Sequence, residues 1–306
     1  MTGPLDRLAA YVRRETGLAL DGAQLSSLRG AVERLEPAGP AALLRRLDDR
    51  VDGPALTARL VDEVTVKETF FFRHPEELEA IDWRALSEAA RRRGDARVRV
   101  WVTACATGEE AWTLAMLALE AFWPRPAPVE IVATDIAPGA LARAAAGRYG
   151  PRAVARVSPG RRARWMTPHG DGLRVGDELR ALVRFARHNL VRDPAPPLGH
   201  GRFDLITCRN VLIYFALPDV AAVVGRLRSA LHPGGTLVLG AADRLSERSA
   251  VGAPARAPAL APSAAPRAAR PARAAQRAPA GREPPAPGLQ LDAVAQLGDG
   301  RDALDR

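Results

Sequence analysis

Cysteine is scarce in this sequence: Cys105 and Cys208 are the only two in 306 residues. Two thiols this far apart exclude a disulfide framework and a thiolate metal site. The five histidines contain no H-x-x-x-H pair, so no metal centre is expected. No run of about 18 uninterrupted apolar residues is present, which excludes a transmembrane helix and direct membrane insertion. A signal-peptide pattern is missing at Met1, so the chain reads as soluble and cytoplasmic. Excess acid is also lacking; the net charge is +9. Such a balance ordinarily raises nucleic acid as a partner. Here residues 251–290 carry six arginines against one acid, Glu283, so more than half of the excess lies in one low-complexity stretch. Charge placed there argues poorly for a folded nucleic-acid site, and no nucleic acid is expected. What the chain does have is apolar content, at 47% of residues, enough for a sizeable core.

The stretch that organises the chain is residues 97–110, RVRVWVTACATGEE. Val98, Val100 and Val102 alternate with Arg99 and Trp101 as in a short strand. A run of small residues follows, and Glu109 and Glu110 then open an apolar helical pattern. Strand, tight turn and helix N-terminus make the start of a βαβ unit, where nucleotide-like ligands sit at the carboxyl edge of the sheet. The turn is not the phosphate-binding G-x-G-x-x-G. It has one glycine and sets carboxylates where a phosphate needs positive potential. The expected ligand therefore carries a ribose and a positive charge but no phosphate, and S-adenosylmethionine fits. The plainer reading is an ordinary βα turn with two acids favouring the helix dipole.

Residues 1–62 read as an all-helical domain. Apolar residues recur at helical spacing through Val12, with Gly17 as a stop, then through Leu35, through Leu43 to Val51, and through Leu56 to Val61. Arginines at 29, 34, 45, 46 and 50 dot the polar faces; they read as a solvated face or as a docking surface for an acidic partner. Residues 63–96 read as a linker and cleft segment. Within it TVKETFFFR at 65–73 holds three consecutive phenylalanines, which cannot all face one way, so the segment is expected to be enclosed, with Thr69 and Arg73 turned to the ligand.

Residues 97–250 alternate strand and helix in the α/β manner. VEIVAT at 129–134 is a second strand ending in Asp135, an acid placed to hold ribose hydroxyls or to cap the following helix. A small hairpin is expected near 172–175, a short strand at 183–185 and a buried strand at 203–207. A helix at 217–231 should close on His232-Pro233-Gly234-Gly235 before a last strand at 236–240. Residues 251–290 are Ala/Pro/Arg-rich with nine prolines, the composition of a disordered linker. Residues 291–306 read as helical again, a candidate first unit of a helical repeat.

Six ordered blocks then carry a resemblance: ETFFFR at 68–73, TACATGEEAWTLAM at 103–116, ATDIAPGALARAAAGRY at 133–149, HNL at 188–190, FDLITCRNVLIYF at 203–215 and PGGTLVLG at 233–240. Over about residues 5–247 the chain resembles the CheR family of chemoreceptor glutamate methyltransferases. The resemblance implies a Rossmann-like S-adenosylmethionine-dependent methyltransferase domain with a small antiparallel β-subdomain, preceded by an all-α domain. It implies S-adenosylmethionine as methyl donor, S-adenosylhomocysteine as product, and glutamates on the cytoplasmic signalling domain of chemoreceptors as acceptors, with the enzyme a monomer. Thr69, Arg73, Glu109, Asp135, Asn189, Leu190, Arg209 and Asn210 fall on the family's cofactor-contact positions. Arg73 and Tyr214 fall on positions facing the reacting centre.

Two departures stand out. Lys67 stands where the family usually has asparagine beside the cofactor, a long cation near a sulfonium. Ala241-Ala242-Asp243 replaces a usual His-Ser-Glu run. The short hairpin at 167–174 suggests, within this family, a member that does not anchor to a receptor's C-terminal tail. A glutamate carboxylate is ionised at neutral pH, with a pKa of about 4.3, so methyl transfer to it needs no general base, and none is apparent. The leading expectation is therefore a protein-glutamate O-methyltransferase of a chemotaxis or chemosensory pathway. The alternatives are an S-adenosylmethionine-binding regulatory module with little transferase activity and a methyltransferase of small molecules or RNA.

Overall fold

A computed structural model describes residues 3–195, 197 and 201–251, all within one compact unit, Met1–Ala257. The linker expected over 251–290 and the helix expected over 291–306 lie outside the described residues, Val251 apart, which ends a helix.

Four helices come first: α1 (Pro4–Thr16), α2 (Gly22–Leu35), α3 (Pro40–Leu47) and α4 (Gly53–Val64). Their apolar stripes meet in a core built on Leu8, Val12, Leu28, Leu43 and Leu60. Gly17 ends α1 in the left-handed conformation, with its N–H on Arg13 O at 2.8 Å. The third helix stops at Leu47, short of the expected Val51, which is 84% exposed. The Asp49 side chain takes the amides of Val51 and Asp52 at 2.8 and 2.9 Å, a local turn that competes with helix continuation.

Within 63–96, expected as linker, two further helices form: α5 (Pro75–Glu79) and α6 (Trp83–Arg92). Asp82 caps α6 by accepting from Ala85 N at 2.9 Å, and Trp83 and Ala90 are buried beneath it.

The main sheet begins with β1 (Val98–Thr103), followed by α7 (Glu109–Phe122), β2 (Val129–Asp135) and α8 (Pro138–Ala146). An insertion then supplies β3 (Arg148–Tyr149), α9 (Pro159–Trp165), β4 (Met166–His169), β5 (Gly172–Val175) and α10 (Asp177–Arg180). Its three strands form a separate antiparallel sheet in the order β3-β5-β4, with Met166 opposite Val175 and His169 opposite Gly172. The chain returns through β6 (Val183–Arg187), β7 (Phe203–Cys208), α11 (Leu217–Ser229), β8 (Leu231–Leu239) and α12 (Ala241–Val251).

The five main strands run parallel in the order β6-β2-β1-β7-β8. Strand order reverses beside β1, so the β1/β7 boundary is the switch point at whose carboxyl edge ligands bind. Helices cover both faces. Val98, Val100 and Val102 join the core that includes α7, whereas Trp101 joins the core that includes α11. The alternation in β1 is thus real, but both of its faces are dry. β8 starts earlier than expected, at Leu231. Phe203 pairs with Leu231 and Leu205 with Thr236, so Pro233-Gly234-Gly235 is extruded as an irregularity within the strand. Pro233 has no N–H to give the ladder. No helix among the described residues is long and apolar enough to cross a membrane.

The bundle is fastened to the sheet at several points. Asp62 on α4 accepts from Gly139 N at 2.9 and 3.0 Å, satisfying the open N-terminus of α8. Asn189 Nδ2 donates to Glu15 O at 2.8 Å, and Ala19 N donates to Tyr214 O at 2.8 Å.

Gly108, at the turn between β1 and α7, has φ +93, and a Cβ there would lie 2.8 Å from Ala144 Cβ. Gly94 has φ +85 but open space around it. Gly94→Ala should therefore cost only the left-handed backbone penalty, about 1–2 kcal/mol, while Gly108→Ala should cost about 1–3 kcal/mol more through overpacking. Urea denaturation of the two variants measures the difference; equal losses would contradict the packing.

Candidate active site

The turn after β1 is built from left-handed residues: Ala104 and Ala106 at φ 48 and Gly108 at φ 93. Its amides point inward. Cys105 N donates to Thr134 O at 2.9 Å, Gly108 N to Cys105 O at 2.9 Å and Ala106 N to Asp135 Oδ2 at 2.8 Å. A phosphate loop leaves such groups open for its ligand; here two of the three join the turn to β2 and the third closes the turn on itself.

Asp135 ends β2 with its other oxygen on Ala137 N at 2.9 Å. The expected cap of α8 is thus displaced: the cap position is Ala137, Pro138 has no amide to satisfy, and Asp62 takes the next one. Burial raises the Asp135 carboxyl pKa above 3.8, opposed by the two backbone donors and by Lys67.

Arg209, one residue beyond β7, has a side chain with no solvent exposure. Its guanidinium donates to Glu77 at 2.9 Å, to Glu110 at 2.7 Å and to Arg73 O at 2.6 Å. Glu110 also accepts from Thr207 Oγ1 at 2.7 Å, and Glu77 from Arg244 at 2.9 Å. The expected cofactor contact at Arg209 therefore has its fork committed to protein. Burial lowers the Arg209 pKa, and the two carboxylates more than reverse this, so the cation stays charged.

Arg73 is set between Phe72 and His74, both left-handed at φ 55 and 49. Arg73 Nη1 donates to Glu68 O at 2.6 Å, and its guanidinium stacks 5.6 Å from the Phe70 ring centroid. Phe71 and Phe72 are buried, whereas Phe70 is half-buried beneath Arg156 and Arg73. The enclosure expected of the triple phenylalanine holds for two rings; the third is covered by cations.

Asn210, also left-handed at φ 58, follows Arg209. The Asp243 carboxylate, fully buried, accepts from the amides of Asn210, of Val211 at 3.0 Å and of Leu212 at 2.8 Å. Burial raises this acid's pKa, and the three donors oppose the rise. The pinned segment leads into a 3₁₀ turn, Leu212–Tyr214, that delivers Tyr214 to the cleft. The Tyr214 hydroxyl has no hydrogen-bond partner among the described residues, and burial raises its pKa. All five positive-φ non-glycine residues among the described residues lie on these three cleft-building segments, where backbone strain characteristically concentrates.

Thr69, Arg73, Asp135, Asn189, Leu190, Arg209, Asn210 and Tyr214 line one cleft of about 880 Å³, its open mouth included. Leu18, Thr65 and Thr16 close it from the bundle side. Two expected residues lie off its wall. Lys67 turns its ammonium to Asp62 O, to Thr65 O at 3.2 Å and to Thr65 Oγ1 at 3.0 Å, at the C-terminal end of α4. The departure from asparagine thus becomes a helix-end cap. Glu109 is buried and accepts from Thr107 Oγ1 at 2.7 Å; its neighbour Glu110 faces the cleft instead. Asn189 commits its side chain to Glu15 O and to the amides of Val191 and Arg192 at 2.9 and 3.3 Å. Sequence reading missed Glu110, His188, Leu18 and Asp243. The departure at 241–243 was the one visible signal for Asp243, and the bundle residues offered none. Among the described residues no group of three or more His, Cys, Asp or Glu is placed to hold a metal.

A doubly wound parallel sheet with a carboxylate lining its switch-point cleft defines a Rossmann-like fold of the nucleoside-binding kind. The chain belongs to the CheR methyltransferase family: residues 67–257 match the family described as CheR methyltransferase, SAM binding domain. It is 36% identical over 211 residues to Chemotaxis protein methyltransferase 1 of Pseudomonas aeruginosa, covering 67% of this chain and 75% of the relative. It is 33% identical over 195 residues to Chemotaxis protein methyltransferase 2 of Vibrio cholerae, covering 63% and 67%. A Probable biofilm formation methyltransferase WspC of Pseudomonas putida is 34% identical over 184 residues, covering 60% of this chain and 43% of that one. The cofactor of the domain is S-adenosylmethionine. The cleft's chemistry suits it, with the Asp135 carboxylate lining it as an acceptor and as negative charge for a cationic ligand.

We propose that Asp135 accepts from the ribose hydroxyls; it must then be ionised, and its pKa is raised by burial. S-adenosylmethionine affinity should therefore fall with acidification at a pH above the 3.8 of an unperturbed aspartate. Folding stability responds with the opposite sign, because ionising a buried acid disfavours the folded state: this contribution is present below 3.8 and lost as pH rises through the raised value. Asp135→Asn should remove both slopes and weaken the cofactor by about 1.5–3 kcal/mol. Calorimetric titration and urea denaturation across pH measure the two; identical pH profiles for wild type and variant would contradict the assignment.

Proposed function

We propose that this methyltransferase transfers the methyl group of S-adenosylmethionine to glutamate side chains on the cytoplasmic signalling domain of chemoreceptors. The observation that carries the reading is Arg73 held at the cleft beside a Tyr214 hydroxyl that no protein group occupies. A guanidinium recognises a carboxylate as a planar fork, and the neutral phenol can donate one hydrogen bond to orient it. The acceptor is already an anion, with a pKa of about 4.3. One C–O bond forms as one C–S bond breaks; opposite charges are neutralised and no proton moves. Bound S-adenosylmethionine supplies the electrophilic methyl. What the protein supplies is alignment, an effect that can reach about 7–11 kcal/mol, and a cleft walled by the helical bundle against water.

The printed names of the relatives support a chemotaxis setting, and the name of the Pseudomonas putida relative extends the candidate outputs to biofilm formation. The same reading makes the enzyme a cytoplasmic monomer with no nucleic-acid partner. A regulatory, non-catalytic reading drew its support from Lys67 and from residues 241–243. Both have structural accounts, a helix-end cap and a buried anchor for the Tyr214 turn, so catalysis is favoured.

Labelled S-adenosylmethionine incubated with purified chemoreceptor signalling domains should yield protein label that base releases as methanol. Arg73→Ala should lower the rate on the order of 10²-fold, as expected for lost alignment. Tyr214→Phe should lower it about tenfold, the effect of one hydrogen bond. Base-stable label, or label unchanged in Arg73→Ala, would overturn the reading.

A further inference from the structure

At the end of the sheet opposite the cleft, where α7 finishes, Trp123 is 59% exposed, the one aromatic among the exposed large apolar side chains of the described residues. It is not a loose side chain. One ring face is stacked by the Arg164 guanidinium at 4.3 Å, and Arg164 lies at 4.3 Å over buried Trp165 as well. Trp165 Nε1 donates to Glu120 at 3.1 Å, and Glu120 also holds Arg161 at 2.9 Å. This ladder of two indoles around one cation fixes the exposed ring in place.

Beyond Trp123 a groove runs over Phe122, Pro124 and Pro128, rimmed by Arg84, Arg91 and Arg125. All three arginines are exposed. Arg84 lies 5.9 Å from the Phe122 ring and Arg91 donates to the Ser87 hydroxyl at 3.1 Å, but none has a carboxylate partner among the described residues. Glu88 shares the groove and is paired with Arg92. An apolar floor, a rigid indole and three uncompensated cations make a surface complementary to an apolar, acidic segment. A single nucleic-acid strand also uses aromatic rings and arginines. Here Trp123 is the one exposed aromatic ring of the groove, which therefore offers no succession of rings for stacked bases, and a peptide is the better fit.

We propose that this surface is a docking site for an acidic peptide segment of a partner protein, an apolar side chain resting on Trp123 and carboxylates meeting Arg84, Arg91 and Arg125. The length of α7, 14 residues or about 21 Å at ~1.5 Å per residue, separates this surface from the cleft. A docked segment leaves the cleft free and raises the local concentration of whatever it is tethered to. The site does not depend on which acceptor the cleft methylates.

The test titrates the full chain against a short fluorescein-labelled peptide of glutamate, leucine and proline, its counterpart with lysine for glutamate, and oligothymidine. The acidic peptide should bind, and Trp123→Ala should weaken it about tenfold, in the range of an interface anchor, with Trp123→Phe restoring most of the loss. The combined variant Arg84→Glu, Arg91→Glu and Arg125→Glu should lose the acidic peptide and gain the lysine peptide. S-adenosylhomocysteine binding, unchanged in all variants, reports that the cleft remains folded. Failure of the acidic peptide to bind, equal binding by the variants, or oligothymidine binding that Trp123→Ala abolishes would each overturn the proposal.

Discussion

A guanidinium with no exposed side-chain surface cannot sit inside a protein without partners, because the loss of its hydration far exceeds what any single pair returns. Arg209 meets that demand by drawing distant segments to one point. It reaches Glu110 on α7, Glu77 on α5 and the carbonyl of Arg73, and Glu77 in turn holds Arg244 on α12. Three stretches of chain distant in sequence, residues 73–77, the start of α7 and α12, are thereby fixed at the end of β7. The position of Arg73 is a consequence of that arrangement: its backbone is held by the buried cation, between two residues in strained conformations. On the proposed function, the group that meets the acceptor is placed by one that does not.

Carboxylates on backbone amides complete the frame in a repeated manner. Asp135 bridges the turn after β1 to the segment after β2, Asp243 gathers three consecutive amides ahead of Tyr214, and Asp62 closes the N-terminus of α8 from the helical bundle. Each anion is met by charge-assisted bonds from backbone amides. Each also fixes a turn that side-chain packing alone would leave free. The small residues of the turn at 104–108 follow from this. Left-handed backbone favours Gly and strains Ala104 and Ala106, whose small side chains suit the tight turn, and the Asp135 carboxylate is what holds that turn together.

Much of the fold was legible because strands buried on both faces and helices with one apolar stripe leave strong periodic signals. β1, β2, β7 and the four bundle helices fall in that group. α5 and α6 were not legible: α5 is too short for a period, and α6 follows a phenylalanine run that reads as extended. β8 was misread at its start because Pro-Gly-Gly marks a turn far more often than an irregularity within a strand. For the site, eight of the nominated residues share the cleft. Sequence position could name them, but it could not tell which present a side chain and which present backbone, as with Arg209 and Asn189. Nor could it separate Glu109 from Glu110. One residue along a helix is a rotation of about 100°, enough to turn one carboxylate into the core and the next into the cleft.

The claim on which the account rests is that the buried arginine cluster acts on catalysis by positioning Arg73. A double-mutant cycle on methyl-transfer kcat/KM measures it directly, pairing Glu77→Gln, which touches only the cluster, with Arg73→Ala. The account predicts that Glu77→Gln slows transfer in the wild-type background and has little further effect once Arg73 is gone, a coupling of about 0.5–3 kcal/mol. S-adenosylhomocysteine affinity should be unchanged by Glu77→Gln alone. Additive losses, with Glu77→Gln equally damaging in both backgrounds, would contradict it.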